Sequence, residues 1–295
     1  MPGGADGVSR RSFVIAGAAT LAYAGWARAQ TPGVTAQQVV ARIRDGVGVP
    51  WRETTVDTFK AGDPDTVVTG IATTAMATLG VLQRAAAAGR NLIITHEPLF
   101  YSAAETPGPR ATDPVYLAKK AFIDENRLVI WRFYDHWLAR QPNELATALA
   151  DALGWTSRRD AKNERLYRIP ATTLRAVAAH VRTRLQIRGG LRVIGGAGAP
   201  VERVVLSPGT TDLASTVASL RDADLILSGE PREWEAVEYV ADTVTAGAPK
   251  LLMAVGRIVS EEPGMRACAT WLRTLVREVP VEAIATGDPY WRPRA

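Results

Sequence analysis

The period of the apolar residues changes repeatedly along this chain, and that alternation limits the folds open to it. "TAQQVVARIRDGV" places Val39, Val40, Ile43 and Val47 on one helical face. "TVVTGIATT" is rich in β-branched residues and reads as a strand. "MATLGVLQRAAAAG" is a helix closed by Gly89, and the strand "NLIIT" follows. The exchange continues through helix "DPVYLAKKAFIDEN", strand "RLVIWRF" and helix "PNELATALADALGW". Beyond a charged stretch come helix "TTLRAVAAHVRTRL", strand "RVVLS", helix "TTDLASTVASLRDA" and strand "DLILSG". Helix "REWEAVEYVADTV", strand "KLLMAV" and helix "GMRACATWLRTLVREV" complete the series. Such alternation predicts a layered α/β fold, with helices covering mostly parallel, buried sheets.

The N-terminus stands apart from this pattern. "SRRSFV" leads into an uncharged run from Ser12 to Ala27 and then a small-x-small site, Ala27-Arg28-Ala29. The run is shorter than the roughly 18 residues expected of a membrane span, so residues 1–29 read as a removable signal. Arg10 and Arg11 before Ser12 and Phe13 give it the twin-arginine form. Export to the periplasm or beyond, in the folded state, is the expectation. No later segment is long and apolar enough to span a bilayer, so no membrane association is expected after cleavage.

The mature chain divides, on this reading, into residues 30–155, a linker at 156–166 ("TSRRDAKNERL") and residues 167–295. "SAAETPGPRATDP" reads as a surface loop. The glycine-rich "IRGGLRVIGGAGAP" reads as a hairpin or ligand-facing loop and lacks the spacing of a phosphate-binding fingerprint. Of 35 basic and 30 acidic residues, three and one lie in residues 1–29, leaving a mild net +3. That argues against nucleic acid as a partner. Cys268 has no second cysteine to pair with, and its apolar helical surroundings suit a packed, inert thiol.

Polar residues gather where strands end. His96 and Glu97 follow "LIIT"; Asp135 and His136 follow "LVIW"; Arg257 and Glu261 follow "LLMA"; Glu230 follows "LILS". In open α/β sheets ligands bind outside the carboxyl ends of strands. Imidazole with carboxylates suits Zn, Mn or Fe. Each cluster also has a plainer account. His96 and Glu97 can form a hydrogen-bonded strand end, and His136 can pack among aromatic residues. Glu261 beside Ser260 can answer a helix dipole. His180, on a helix with Val177 and Val181, reads as structural or exposed.

Taken together, "AAAAGRNLIITHEPLFY", "NELATALADALGW", "LSGEPREWEAVEYV" and "VGRIVSEEPGM" resemble the Nif-three-like proteins, catalogued as GTP cyclohydrolase 1 type 2 or dinuclear metal-centre hexameric proteins. The resemblance runs from about residue 35 to 290. It implies two α/β lobes, self-association into a toroidal hexamer, and a two-metal site facing an internal cavity. The family's strand-end "HHP" falls on His96-Glu97-Pro98, with Glu97 still able to ligate through oxygen. Its "H-x-x-x-D" falls on Tyr134 to Leu138, with Asp135 and His136 between the two. Its "GH-x-x-S-E" falls on Gly256 to Glu261, with Arg257 in the place of histidine. Guanidinium and leucine offer no ligand, and Tyr134 would need to ionise against a pKa of about 10.

At most one divalent ion is therefore expected, held by His96, Glu97 and Glu261 with Asp135 or His136 completing the shell. Arg257 is expected to replace the missing positive charge, with Tyr134 and Glu230 beside it in a shared pocket. Two functions follow: a ligand- or partner-binding protein with a degenerate, even metal-free, site, or a metal-dependent hydrolase. The arginine favours the first; the retained His96 and Glu261 favour the second. An unrelated solute receptor fits the motif order poorly.

Overall fold

The computed structural model describes residues 33–104, 108–188 and 191–291. Residues 1–29, read above as an export signal, lie outside them. The first half runs α1 (Ala36–Gly46), β1 (Phe59–Ala61), β2 (Ile71–Thr74), α2 (Leu79–Ala87), β3 (Leu92–Thr95), α3 (Pro114–Glu125), β4 (Val129–Arg132), α4 (Asp135–Ala139) and α5 (Glu144–Leu153). The second runs β5 (Leu166–Thr173), α6 (Leu174–Arg184), β6 (Arg192–Ile194), β7 (Pro200–Thr211), α7 (Leu213–Leu220), β8 (Leu225–Pro231), α8 (Glu238–Thr245), β9 (Leu251–Ala254), α9 (Arg257–Leu275) and β10 (Val281–Ala283). Among the described residues no helix is long and apolar enough to cross a membrane.

Local chemistry sets many boundaries. Thr35 and Gln38 exchange side-chain hydrogen bonds with each other's backbone N–H, a capping box that starts α1. Asp113 caps α3, and Pro114 occupies its first turn, where no N–H is needed. Asn143 caps α5, and Gly154 ends it in the left-handed conformation.

Among the described residues, two five-stranded sheets result. The first has the order β1-β4-β3-β2-β10 and the second β5-β7-β8-β9-β6. The inner strands are parallel, while β1, β5 and β6 lie antiparallel at the edges. Every residue of β2, β3, β4 and β9 is buried, as expected of strands covered by helices on both faces. Register brings strand ends level: Thr95 pairs with Arg132, and Ser228 with Ala254. His96 and Glu97 extend the first ladder by donating to Thr74 O and Ala75 O.

Two local expectations need correcting and one gains detail. The described part of "IRGGLRVIGGAGAP" forms no hairpin, because β6 pairs with β9 and not with β7. Residues 156–166, read as a linker, have local structure of their own. Thr156–Arg158 forms a 3-10 turn, and the Asp160 side chain accepts N–H bonds from Lys162 and Asn163 and one from Arg168 Nε. Helix α9 begins at Arg257, seven residues before the periodic run, and contains Pro263. Proline forfeits a helical hydrogen bond, but Ser260, Glu261, Pro263, Gly264 and Met265 are all buried, and packing holds the helix through it. At Gly264 a Cβ would lie 3.2 Å from Leu145 Cα, so α9 and α5 cross at glycine distance.

Helix α9 also ties the halves together. Its Met265, Cys268, Ala269 and Leu272 join Val39, Ile43, Leu92, Ile94 and Trp131 in one core, and α9 contacts β7 and β8 of the other sheet. The Cys268 thiol is fully buried, and burial pushes its pKa up, as suits an inert packed group.

Candidate metal centre

The ends of β3, β8 and β9 bring His96, Glu97, Glu230, Arg257 and Glu261 to one place, drawn from both sheets. Donor atoms of His96, Glu97 and Glu261 all lie within 4.8 Å of one another, and all three residues are buried. His96 Nδ1 lies 3.1 Å from Phe133 O. A carbonyl only accepts, so Nδ1 carries the proton and Nε2 presents its lone pair. Nε2 is buried and has no hydrogen-bond partner among the described residues; Glu261 Oε2 is in the same state. Burial, with Arg132 and Arg257 nearby, lowers the His96 pKa to about 3, so the ring is neutral at physiological pH.

Arg257 closes the other side. Its Nε donates to Glu97 Oε1 at 3.1 Å and to Glu261 Oε1 at 3.3 Å. Its Nη2 donates to the same Glu97 oxygen, and Nη1 reaches Glu230 Oε2 at 3.3 Å. Burial works against the arginine's charge, but Glu97 and Glu261 more than offset it and raise its pKa. Burial and the negative charge of Glu97 push Glu261 up to about 9 despite the arginine. One guanidinium therefore does not neutralise the buried acids completely.

The backbone makes room for Glu261. Strand β7 carries a bulge between Ser207 and Thr210, the device that commonly re-aims chain beside functional sites. Within it Gly209 has φ +76°, and a Cβ there would meet Glu261 Oε1 at 2.8 Å. Buried Ser260 accepts Gly209 N–H at 3.0 Å and donates to Arg257 O at 2.7 Å, pinning bulge to helix.

Tyr134, expected beside the centre, packs on His96 with tilted rings whose centroids lie 4.6 Å apart. Burial and Glu97 raise its pKa, so it stays a neutral phenol and offers no phenolate ligand. The expectation that Asp135 or His136 completes a metal shell is overturned. His136 Nδ1 lies 2.6 Å from Asp57 Oδ2, and its Nε2 accepts Arg52 N–H at 3.0 Å, so neither ring nitrogen is free. Its ring stacks on Trp51 at 3.6 Å. Asp135 Oδ2 accepts from Thr55 Oγ1 and Val56 N, and Arg52 pairs with Oδ1. Burial opposes its ionisation, but these partners hold its pKa low. His180 is structural: Nε2 bonds Leu153 O at 2.8 Å and the ring stacks on Trp155.

A family model for Duf34/NIF3 (NGG1p interacting factor 3) matches residues 56–289. The chain belongs to the Duf34/NIF3 family. Solved structures of similar fold include hypothetical protein SA1388 of Staphylococcus aureus, with TM-score 0.70 and 17% identity over 88% of this chain and 100% of that one. A Bacillus cereus protein related to NIF3 gives 0.64 and 14% over 89% and 100%. Reduced HcgD from Methanocaldococcus jannaschii gives 0.60 and 15% over 85% and 97%. These likenesses speak to fold alone. No curated protein matches by sequence.

For this NIF3 protein the residues present suit one ion. Two donors on one tetrahedral zinc-type ion, each about 2.0–2.2 Å from it, sit about 3.4 Å apart, so the His96–Glu97–Glu261 group, whose donors lie within 4.8 Å of one another, must draw in to hold an ion. His96 already has the backing such ligands use, Nδ1–H held by a carbonyl. Sequence reasoning missed Asp57, Gly209 and Ser260 as supports. Ser260 occupies the serine of the "GH-x-x-S-E" stretch and Gly209 follows Pro208 in a turn-forming pair, whereas Asp57 carried no local signal.

Proposed function

We propose that this protein holds a single divalent transition-metal ion, Zn, Mn or Fe, on His96, Glu97 and Glu261, and that the hydrolysis such an ion assists is its activity. The carrying observation is the pair of buried atoms His96 Nε2 and Glu261 Oε2, unpartnered among the described residues. Left bare, each costs the desolvation of a polar group with nothing in return. A bound ion supplies Lewis-acid polarisation and acidifies water. The chain's own groups do the rest. Phe133 O fixes the histidine tautomer, Arg257 anchors Glu97, and Tyr134 shields the imidazole. Metal analysis of the mature protein tests this: about one ion per chain is expected, lost in His96→Ala and Glu261→Ala.

A second reading has its own support, the guanidinium that already pairs with both buried carboxylates. On it the site is metal-free, Glu261 carries a proton, and the protein binds a ligand or partner. A folded chain that takes up no ion from excess metal would choose this reading over the first.

Two further proposals come from the sequence. Residues 1–29 direct export by the twin-arginine route, so changing Arg10 and Arg11 together to Lys should leave the precursor inside the cell. Self-association is proposed by family resemblance. A solution mass no greater than the 31.7 kDa of one full-length chain would refute it.

A further inference from the structure

We propose that the outward edge of the Arg257 guanidinium is the point at which this site recognises an oxyanion, a phosphoryl or carboxylate group of the ligand, and that Glu230 is an internal competitor which that group displaces. The proposal rests on the site argued above being the functional centre, but not on an ion being bound.

A guanidinium presents five N–H donors in a fixed planar fork. In Arg257 one side is committed. Nε and Nη2 converge on Glu97 Oε1, and Nε also reaches Glu261 Oε1. Those two carboxylates have side-chain exposures of 7% and 1%. Breaking either pair would leave a buried charge alone, which is costly.

The other edge, between Nη1 and Nη2, is different. Its contact is a single long bond, Nη1 to Glu230 Oε2 at 3.3 Å, and the Glu230 side chain is 57% exposed. A solvated pair of that kind is weak. The arginine itself is 25% exposed, so solutes reach it. An incoming oxyanion would exchange one long contact for two parallel, charge-assisted bonds. Glu230 would turn into solvent, leaving Glu97 and Glu261 undisturbed. No covalent step is involved.

The test titrates the full mature chain with inorganic phosphate and, separately, with acetate, by calorimetry at fixed pH and ionic strength. Wild type, Glu230→Gln and Arg257→Lys are compared, and metal content is measured on the same samples. Glu230→Gln should tighten binding of the preferred anion roughly tenfold, a difference of about one decade in Kd. Arg257→Lys keeps the charge but loses the fork and should weaken it by about as much. Preference for phosphate would identify a phosphoryl ligand, preference for acetate a carboxylate.

Unchanged affinity for both anions in Glu230→Gln, or wild-type affinity in Arg257→Lys, overturns the proposal. Because Arg257→Lys also touches buried carboxylates, the exposed Glu230 variant decides. Metal-free protein with Glu230-sensitive anion binding would refute the metal reading alone. Metal-loaded protein without such binding would refute this one alone.

Discussion

A methyl group at position 209 would meet Glu261 Oε1 at 2.8 Å, in a backbone conformation that already disfavours side chains. Gly209→Ala should therefore move the carboxylate and cost about 1–2 kcal/mol of stability. Weaker metal uptake accompanied by that loss in urea unfolding is the expected pair of results; full metal occupancy would deny the bulge its positioning role. The same carboxyl should set the pH dependence of the metal-free protein. Burial pushes Glu261 from 4.5 up to about 9, so the folded state holds that proton more tightly than the unfolded chain. Stability from this group is complete below about 4.5 and is lost as pH rises toward about 9. His96 acts oppositely: burial lowers it from 6.5 to about 3, so its contribution is lost as pH falls through that window. The two slopes oppose one another between 4.5 and 6.5, and above 6.5 only that of Glu261 remains. Unfolding free energy should then fall by up to about 1.4 kcal/mol per pH unit toward pH 9. Urea titrations at several pH values measure it, and Glu261→Gln should flatten the slope.

Helix α4 is too short to hold itself, and a distant aspartate holds it. Asp57 Oδ1 accepts N–H bonds from Tyr134 at 2.6 Å and Asp135 at 2.9 Å. Its Oδ2 accepts His136 N–H at 2.9 Å and the His136 ring at 2.6 Å. Asp57→Ala would strand those buried donors and should cost about 3 kcal/mol or more. Asp57→Asn, which keeps one acceptor oxygen, should cost less. Thermal unfolding of both variants checks the order, and equal losses would mean that volume, not hydrogen bonding, matters there. This clamp also shows where sequence reading stops. The alternation of apolar periods revealed the main helices and buried strands, because that periodicity is written locally. His96, Glu97, Arg257 and Glu261 were legible as a group because strand ends in α/β sheets converge. Asp135 and His136 occupy an equally suggestive strand end, yet Asp57, 79 residues before His136, claims the histidine. A partner so far away leaves no mark in local spacing. The short edge strands β1, β6 and β10 escaped for a similar reason: three residues each are too few for a period, and pairing alone defines them.

At the scale of the whole molecule, the sequence suggests two consecutive halves, but the chain's path joins them. Strand β10 comes from the last residues and pairs in parallel with β2, Val281 with Ile71 and Ala283 with Thr73. The core of the first sheet takes Met265, Cys268, Ala269, Leu272, Val276 and Val281 from the far end of the chain. A fragment of residues 30–155 would lack all of these. It would expose the β2 edge and the apolar faces of Ile43, Leu92 and Trp131 that α9 covers. Each large side chain so exposed forfeits about 1.5–3 kcal/mol, and the three together, with the unpaired β2 edge, are comparable to the roughly 5–15 kcal/mol by which whole domains are usually stable. The fragment should therefore be unfolded or aggregated by circular dichroism and gel filtration. The full mature chain should unfold in one transition in which probes in either sheet coincide. A folded, monomeric 30–155 fragment would show that α9 and β10 rest on a self-sufficient lobe. The centre would then join two independent units, and the geometry of His96 against Glu261 would depend on how those units dock. If the fragment fails to fold, that geometry is fixed by the same helix that completes the core, and the ligand group is as rigid as the fold itself.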